Sequence, residues 1–233
     1  MKLDLKYKDV ENKETIIKLE WDNCVAAGYT GRDQKAVQAH IKELEILGIP
    51  APQKIPAMYW IEPERVSTKK TLHVIGDKTS GEVEFFLSKD KTEELYVTVA
   101  SDHTDRETEK DSVSKAKQLC SKIVAENCWK VADIRDHWDK IIISLKVKTN
   151  DNSPEILYQE GPLGKIFTPE KLEEICEQDS PNKKGNMAIF SGTLPLISDE
   201  TLFAKIYQLT IFDPVLNRKI RHTYKVITLP DRS

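Results

Sequence analysis

The sequence predicts an α+β fold in which β-strands dominate. Segments with strand character follow one another in runs instead of alternating with helices, which disfavours a doubly wound parallel sheet. The hydrophobic periodicity indicates about eleven strands and about three helices. The glycine-rich signatures GxGxxG, P-loop and GxSxG do not occur in the sequence, so it carries none of these nucleotide-binding or hydrolase signatures.

Length and composition bound the class of protein. The chain has 233 residues, of which 39% are hydrophobic and 31% charged, so we expect one folded domain over residues 1–233. A net charge of −3 excludes the strongly basic field that drives non-specific nucleic-acid binding. No apolar run approaches the roughly 20 residues of a membrane span, and residues 1–6 lack a signal-peptide core. We therefore expect a cytoplasmic protein with neither nucleic acid nor membrane as a partner.

The cysteines show no metal-binding or disulfide pattern. Cys24, Cys120, Cys128 and Cys176 are widely spaced, without CxxC, which argues against structural zinc and predicts free, mostly buried thiols. The alternative is that Cys120 or Cys128 acts as a nucleophile.

The N-terminal 55 residues are predicted to hold two strands and one helix. Residues 14–21 alternate and are β-branched, and residues 24–27 form a shorter, more buried strand. A helix is expected from a cap at Asp33 to about Leu47, because Gly48 and Pro50 end it. Its apolar residues recur at helical spacing: Val37, Ile41, Leu44 and Leu47.

Residues 56–233 are predicted to form a mixed β core. Strands are expected at residues 57–61, 72–75, 82–87, 95–100, 141–147, 156–159, 187–191, 203–212 and 220–227. A hairpin-like break at Asp90 separates the third strand from the fourth. Helices are expected at residues 113–119 and at residues 169–176, where Pro169 suits a helix start. Residues 101–112 are almost wholly polar and are predicted to be a loop that is either functional or merely solvated.

Three carboxylates form the best candidate site. Glu82 and Glu84 share one face of a strand because alternate side chains point the same way, while Val83 and Phe85 cover the other face. Asp102 follows the next strand and can face the same cavity. Carboxylates this close repel one another unless a cation lies between them, and oxygen donors suit Mg²⁺ or Mn²⁺ rather than zinc. A solvated sheet face is the alternative.

A second candidate pair lies on the first helix. His40 and Glu43 are three residues apart and share one face, where a carboxylate can orient an imidazole and raise its basicity, as a general base requires. An ordinary surface contact is the alternative. Lys115, Lys117 and Lys122 follow the polar loop and are by default exposed.

The order of these motifs resembles that of the fumarylacetoacetate hydrolase superfamily. The resemblance runs from the first helix to residues 192–193, over about two-thirds of the chain, and the chain looks like a shorter, uncharacterised bacterial branch. It rests on the following succession: His-x-x-Glu-Leu at 40–44, Glu-x-Glu at 82–84, Asp-x-x-x-Arg at 102–106, a lysine-bearing segment closed by Trp129, Tyr-Gln at 158–159 before Gly161, and residues 185–193 ending in Gly-Thr.

The resemblance implies a role for each matching position. The metal ligands would be Glu82, Glu84 and Asp102, holding Mg²⁺ or Mn²⁺. The catalytic residues would be His40 and Glu43, a dyad carried on a lid, and a lysine that steadies an enolate, best matched by Lys117 with Lys115 and Lys122 still open. Arg106, Gln159 and Thr193 would contact the substrate. The resemblance also implies a mixed β-sandwich roll with a few peripheral helices and a homodimer.

The implied activity is a metal-dependent hydrolase or lyase. It would cleave a carbon–carbon bond in a 2-oxo acid or 1,3-dicarbonyl compound through a metal-stabilised enolate, as an acylpyruvase, decarboxylase or hydratase. The alternative is a degenerate member that binds a small oxo acid without turnover. Ser101, Glu107 and Leu194 depart from the family pattern, and these departures affect the substrate prediction more than the metal prediction.

Overall fold

Strands make up most of the secondary structure. The computed structural model describes residues 1–11, 13–46, 48, 50–198 and 200–232. Its strands are β1 (Lys2–Lys8), β2 (Glu14–Glu20), β3 (Asn23–Gly28), β4 (Ala57–Ile61), β5 (Val66–Ser67), β6 (Thr71–Ile75), β7 (Thr79–Ser80), β8 (Val83–Lys89), β9 (Leu95–Ser101), β10 (Thr104–Asp105), β11 (Lys122–Val124), β12 (Asn127–Lys130), β13 (Ile142–Lys148), β14 (Ile156–Pro162), β15 (Met187–Phe190), β16 (Ile206–Asp213) and β17 (Arg218–Leu229).

Helices are few and short. They are α1 (Gln34–Ile46), α2 (Arg106–Glu109), α3 (Val113–Leu119) and α4 (Pro169–Asp179), with 3₁₀ segments at Pro63–Arg65, Arg135–Lys140 and Leu163–Lys165. Among the described residues, every helix is too short or too polar to traverse a bilayer.

Two large mixed sheets organise the fold. The ten-stranded sheet has the order β2-β1-β12-β9-β8-β15-β3-β4, with β11 and β5 attached beside β9. The five-stranded sheet has the order β14-β13-β16-β17-β6. Most neighbours are antiparallel, but four pairs are parallel: β1 with β12, β3 with β15, β5 with β11 and β6 with β17. This architecture confirms the predicted α+β class.

The two faces of β8 line different parts of the core. Val83, Phe85 and Leu87 belong to the larger apolar cluster, which also contains residues of the five-stranded sheet such as Leu145. Phe86 points the other way, into the smaller cluster. Glu84 shares the face of Phe86 because side chains alternate along a strand. The predicted separation of Glu84 from Val83 and Phe85 is therefore confirmed.

Most predicted elements are present with shifted ends. The helix at 113–119 and the strand at 57–61 have the predicted bounds. Asp33 Oδ1 accepts hydrogen bonds from the backbone N–H of Lys35 and Ala36, so the predicted cap of α1 is confirmed. Leu47, the predicted end of that helix, lies outside the described residues. The sequence analysis missed six strands: β1, β5, β7, β10, β11 and β12.

The polar segment 101–112 is not simply a solvated loop. It contains β10 and α2, and residues 101–104 are fully buried. The alternative of a merely solvated loop is therefore wrong for residues 101–104. These four residues lie against β8 and β11 through backbone pairing of Ser101 with Val83 and Ile123.

Candidate metal centre

The hairpin of β8 and β9 brings the three predicted carboxylates together. Val83 pairs with Ser101 across the hairpin, and the backbone N–H of Asp102 donates to Glu82 O at 3.1 Å. Glu82 and Asp102 therefore flank the same end of the two strands. One carboxylate oxygen from each of Glu82, Glu84 and Asp102 lies within 4.8 Å of the others. We call these three residues the carboxylate cluster.

Asp102 is fully buried between two lysines. The Nζ of Lys122 lies 2.6 Å from Asp102 Oδ1, and the Nζ of Lys117 donates to Asp102 Oδ2. Burial alone would raise the pKa of Asp102, but the two ammonium groups outweigh it and hold the pKa below its usual range. Asp102 is therefore an anion at neutral pH.

Glu84 has one strong partner, the backbone N–H of Gly192, which donates to Oε2 at 2.9 Å. Gly192 has φ +83°, and a Cβ there would collide with Thr30 Oγ1, so only glycine fits this turn. Burial and the charge of Asp102 raise the pKa of Glu84 well above its usual value. A divalent ion would favour the ionised form.

Glu82 is the most accessible carboxylate of the cluster, with 20% of its side chain exposed. Its Oε1 lies 3.2 Å from Nη2 of Arg106, and its Oε2 lies 3.8 Å from Nζ of Lys117. Arg106 also donates to Ser80 Oγ and, through Nη1, to both oxygens of Glu109. The arginine predicted to contact substrate thus holds a predicted metal ligand.

Gln159 and Thr193 fix the start of β8. Gln159 is fully buried; its Oε1 accepts from Val83 N at 2.9 Å, and its Nε2 donates to Thr193 Oγ1 and Leu194 O. Thr193 Oγ1 donates to Val83 O at 2.7 Å. Both residues are therefore close to the cluster through Val83, in contacts that already use their polar atoms.

The structure separates the three candidate lysines. Lys117 and Lys122 are buried and contact Asp102, whereas Lys115 is exposed. His40 and Glu43 lie on α1 as an exposed pair, with Nδ1 to Oε2 at 3.6 Å and 59% and 72% of their side chains accessible. No hydrogen bond or ion pair found among the described residues joins this pair to the carboxylate cluster.

Two tyrosines near Lys117 escaped the sequence analysis. Nζ of Lys117 lies 5.8 Å from the ring centroid of Tyr59. Burial, with the neighbouring Tyr29, raises the pKa of Tyr59 to about 12. Tyr29 adopts φ 59°, which is uncommon for a residue with a Cβ.

A buried polar network lies next to Asp102. His103 Nδ1 is 2.9 Å from Tyr224 OH, Nε2 is 2.9 Å from Thr79 Oγ1, and Tyr224 OH is 2.8 Å from Ser101 Oγ. The backbone oxygen of His103 accepts from Lys122 at 2.6 Å. Polar partners thus satisfy hydrogen-bonding groups of the buried residues 101–104, which their polar composition assigned to a loop.

We expect His103 to make stability fall below neutral pH. Burial, Lys122 and Arg106 hold the pKa of His103 well below its usual value. The imidazole of His103 therefore binds a proton in the unfolded chain at a pH where it stays neutral in the folded chain. Stability is then retained above about pH 6.5 and declines as pH falls, by at most about 1.4 kcal/mol per pH unit. Urea unfolding at pH 7 and pH 5 measures this decline. The same decline in His103→Gln would contradict the assignment.

The cysteines are all buried and unpaired, as predicted. Burial raises the pKa of Cys120 to about 11 and raises that of Cys128 further. Both thiols therefore stay protonated at neutral pH, which removes support for the alternative of a cysteine nucleophile.

The donor set fits a hard divalent cation. All three candidate ligands are carboxylates, and Mg²⁺ and Mn²⁺ prefer such oxygen donors. Histidine and cysteine, which zinc prefers, are not among the ligands of the cluster.

Comparisons with known proteins support the fold. A family model described as "Protein of unknown function (DUF2848)" matches residues 27–224, and no curated protein matches the sequence. A 2-keto-3-deoxy-D-arabinonate dehydratase complexed with magnesium and 2,5-dioxopentanoate has a TM-score of 0.59 at 16% identity, covering 94% of this chain and 78% of that one.

Two further structures share this fold. A fumarylacetoacetate hydrolase from psychrophilic Exiguobacterium antarcticum has a TM-score of 0.51 at 13% identity, covering 89% of this chain and 75% of that one. The 4-oxalocrotonate decarboxylase from Pseudomonas putida G7, complexed with calcium and acetate, has a TM-score of 0.55 at 10% identity, covering 89% and 78%. The predicted superfamily resemblance is therefore confirmed at the level of the fold.

Proposed function

Because the chain belongs to the DUF2848 family and has the fold of fumarylacetoacetate hydrolase superfamily structures, we propose that it is a divalent-metal-dependent hydrolase or lyase. Its substrate is a 2-oxo acid or 1,3-dicarbonyl compound, in which it cleaves a carbon–carbon bond. The observation that carries the proposal is the carboxylate cluster, in which three oxygen donors lie within 4.8 Å of one another.

The metal ligands are Glu82, Glu84 and Asp102, and the ion is Mg²⁺ or Mn²⁺. When bound, such an ion polarises the carbonyl and stabilises negative charge on the enolate oxygen. The protein prepares the ligands for it: Lys122 fixes Asp102, and Gly192 fixes Glu84. The buried, hydrogen-bonded setting keeps the carboxylates in place without the cost of reorganisation.

Lys117 and Arg106 supply positive charge beside the reacting centre. Lys117 contacts Asp102 and Glu82 and has 7% of its side chain exposed, so its ammonium can donate to an enolate oxygen or a carboxylate entering there. Arg106 keeps Glu82 oriented. Gln159 and Thr193 shape the surroundings of the carboxylate cluster by fixing Val83 and the turn at residues 192–194.

His40 and Glu43 are proposed as the acid–base dyad. Glu43 orients the imidazole, and His40 removes a proton from a water that attacks the distal carbonyl. Because the pair is exposed and has no hydrogen bond or ion pair to the carboxylate cluster among the described residues, this role requires α1 to close over the cluster during turnover. If a substrate has no distal carbonyl, the same centre serves decarboxylation or hydration.

A binding protein without turnover is the second candidate. It is favoured by the exposed position of His40 and Glu43 and by the internal hydrogen bonds of Gln159. The test is incubation of the full chain with Mg²⁺ and oxaloacetate or an acylpyruvate, followed by product analysis. Consumption of the substrate faster than in a protein-free control with Mg²⁺ supports the enzyme. Saturable binding without product supports the second candidate.

We expect His40→Ala to retain Mg²⁺ affinity and to lose about 10²- to 10⁴-fold in turnover, the usual contribution of general acid–base catalysis. Calorimetry with Mg²⁺ and steady-state kinetics on the active substrate measure the two effects. Lys42→Ala, an exposed change on the same helix, is the matched control. Unchanged turnover in His40→Ala would leave the dyad without a role.

A further inference from the structure

We propose that the ammonium group of Lys117 competes with the divalent ion for Asp102 and Glu82, so that ion binding drives Lys117 out of the carboxylate cluster and frees it to bind an anionic substrate. The inference rests on the proposed metal site and specifies its order of events. It assigns to Lys117 two positions, one before and one after the ion binds.

The first step of the argument is steric and electrostatic. Nζ of Lys117 donates to Asp102 Oδ2 and lies 3.8 Å from Glu82 Oε2. A divalent ion needs direct contact with carboxylate oxygens, at about 2.0–2.1 Å for Mg²⁺. The ammonium of Lys117 repels a divalent ion that approaches the same oxygens, because both groups are positive and lie close together.

The charges around the carboxylate cluster also support competition between Lys117 and the ion. A fourth carboxylate, Glu109, binds Arg106 beside the carboxylate cluster of Glu82, Glu84 and Asp102. Facing these four carboxylates are the cations Arg106, Lys117 and Lys122. These seven side chains together are thus close to neutral, and the attraction of the carboxylate cluster for a further cation increases when Lys117 leaves.

Lys117 is the lysine that can move. Lys122 is fully buried and is held by both Asp102 Oδ1 and the backbone oxygen of His103, each at 2.6 Å. Among the described residues, the ion pairs of Lys117 are all to carboxylates, and it lies on the short helix α3 with some exposure. The ring of Tyr59, 5.8 Å from Nζ, already makes a cation–π contact with the ammonium, which can shift toward the ring when it leaves the carboxylates.

The displaced ammonium has a use in the proposed reaction. A 2-oxo acid carries a carboxylate, and an ammonium freed beside the cluster can pair with it. Ion binding would then precede substrate binding, and the ion would raise the affinity for the substrate through Lys117 as well as directly. The recognised ligand is therefore an anion that arrives after the cation.

The experiment is competitive amine labelling of the full chain with and without saturating Mg²⁺, read by mass spectrometry of the peptides. Lys115, exposed on the same helix, and Lys122, fully buried, are internal standards. We expect Mg²⁺ to increase the labelling rate of Lys117 at least tenfold, while Lys115 stays reactive and Lys122 stays protected. Continued protection of Lys117 when Mg²⁺ is shown to be bound would overturn this inference and leave the metal site standing.

A variant provides the second measurement. Calorimetric titration with Mg²⁺ alone is expected to show at least tenfold tighter binding to Lys117→Met than to the wild type. Equal or weaker binding would contradict competition. Failure of both proteins to bind Mg²⁺ would overturn the metal site and this inference together, whereas binding to the variant alone would support the competition strongly.

Discussion

Replacing Asp102 by asparagine is expected to lower the free energy of unfolding by about 3–5 kcal/mol, the cost of breaking a buried ion pair by removing one partner. Asp102 is fully buried and is the shared counter-ion of Lys117 and Lys122. Asparagine has nearly the same shape but no charge, so two buried ammonium groups would lose their compensation. Urea unfolding followed by circular dichroism measures the change.

Two controls separate this effect from a general loss of charge. Asp151→Asn removes an exposed partner of Lys225 and is expected to leave stability nearly unchanged. Combining Asp102→Asn with Lys122→Met is expected to recover part of the loss, because it removes one uncompensated ammonium. An unfolding midpoint of Asp102→Asn equal to that of the wild type would show that the buried pairs contribute little.

The carboxylate cluster could be predicted from the sequence because it depends on local geometry. Glu82 and Glu84 share a face by the two-residue period of a strand, and one hairpin suffices to bring Asp102 beside them. The lysine partner depends on longer-range structure. Spacing alone cannot tell Lys115, Lys117 and Lys122 apart, because the choice depends on how α3 packs and on β11 pairing with β9.

Burial of residues 101–104 was missed for a related reason. Their polar side chains predict exposure to solvent. They can be buried because tertiary partners such as Tyr224 and Lys122 satisfy their hydrogen bonds. Strand β1 has readable alternation at Leu3, Leu5 and Tyr7 and pairs with the nearby β2 as well as with the distant β12, so its omission reflects an overlooked local pattern. Strands of two to four residues, such as β5 and β11, carry too little periodicity to be recognised.

The same long-range dependence limits the predicted dyad. The spacing of His40 and Glu43 correctly places them side by side on α1. Whether they meet the cluster depends on the proposed closure of α1, which no pattern within the helix encodes. The candidate metal ligands are therefore more directly testable than the candidate base, and among them Glu82 is the best probe.

Glu82→Gln is expected to weaken Mg²⁺ binding by at least about 10²-fold, because even outer-shell changes cost 10- to 100-fold and this change removes the charge of a proposed direct ligand. Glu82 is partly exposed, so its loss avoids the folding penalty expected at Asp102. Turnover of the oxo acid should fall in parallel at fixed, subsaturating Mg²⁺. Calorimetry and kinetics on the same preparation measure both quantities.

The matched control is Glu109→Gln, which removes an equal charge beside the same arginine without belonging to the carboxylate cluster. If ligation rather than bulk charge governs affinity, this variant should change Mg²⁺ binding only a few-fold, as expected for a charge several ångströms away and partly screened. Equal losses in the two variants would mean that Glu82 acts through the field of the site and not as a ligand. Undiminished Mg²⁺ binding in Glu82→Gln would remove Glu82 from the metal centre altogether.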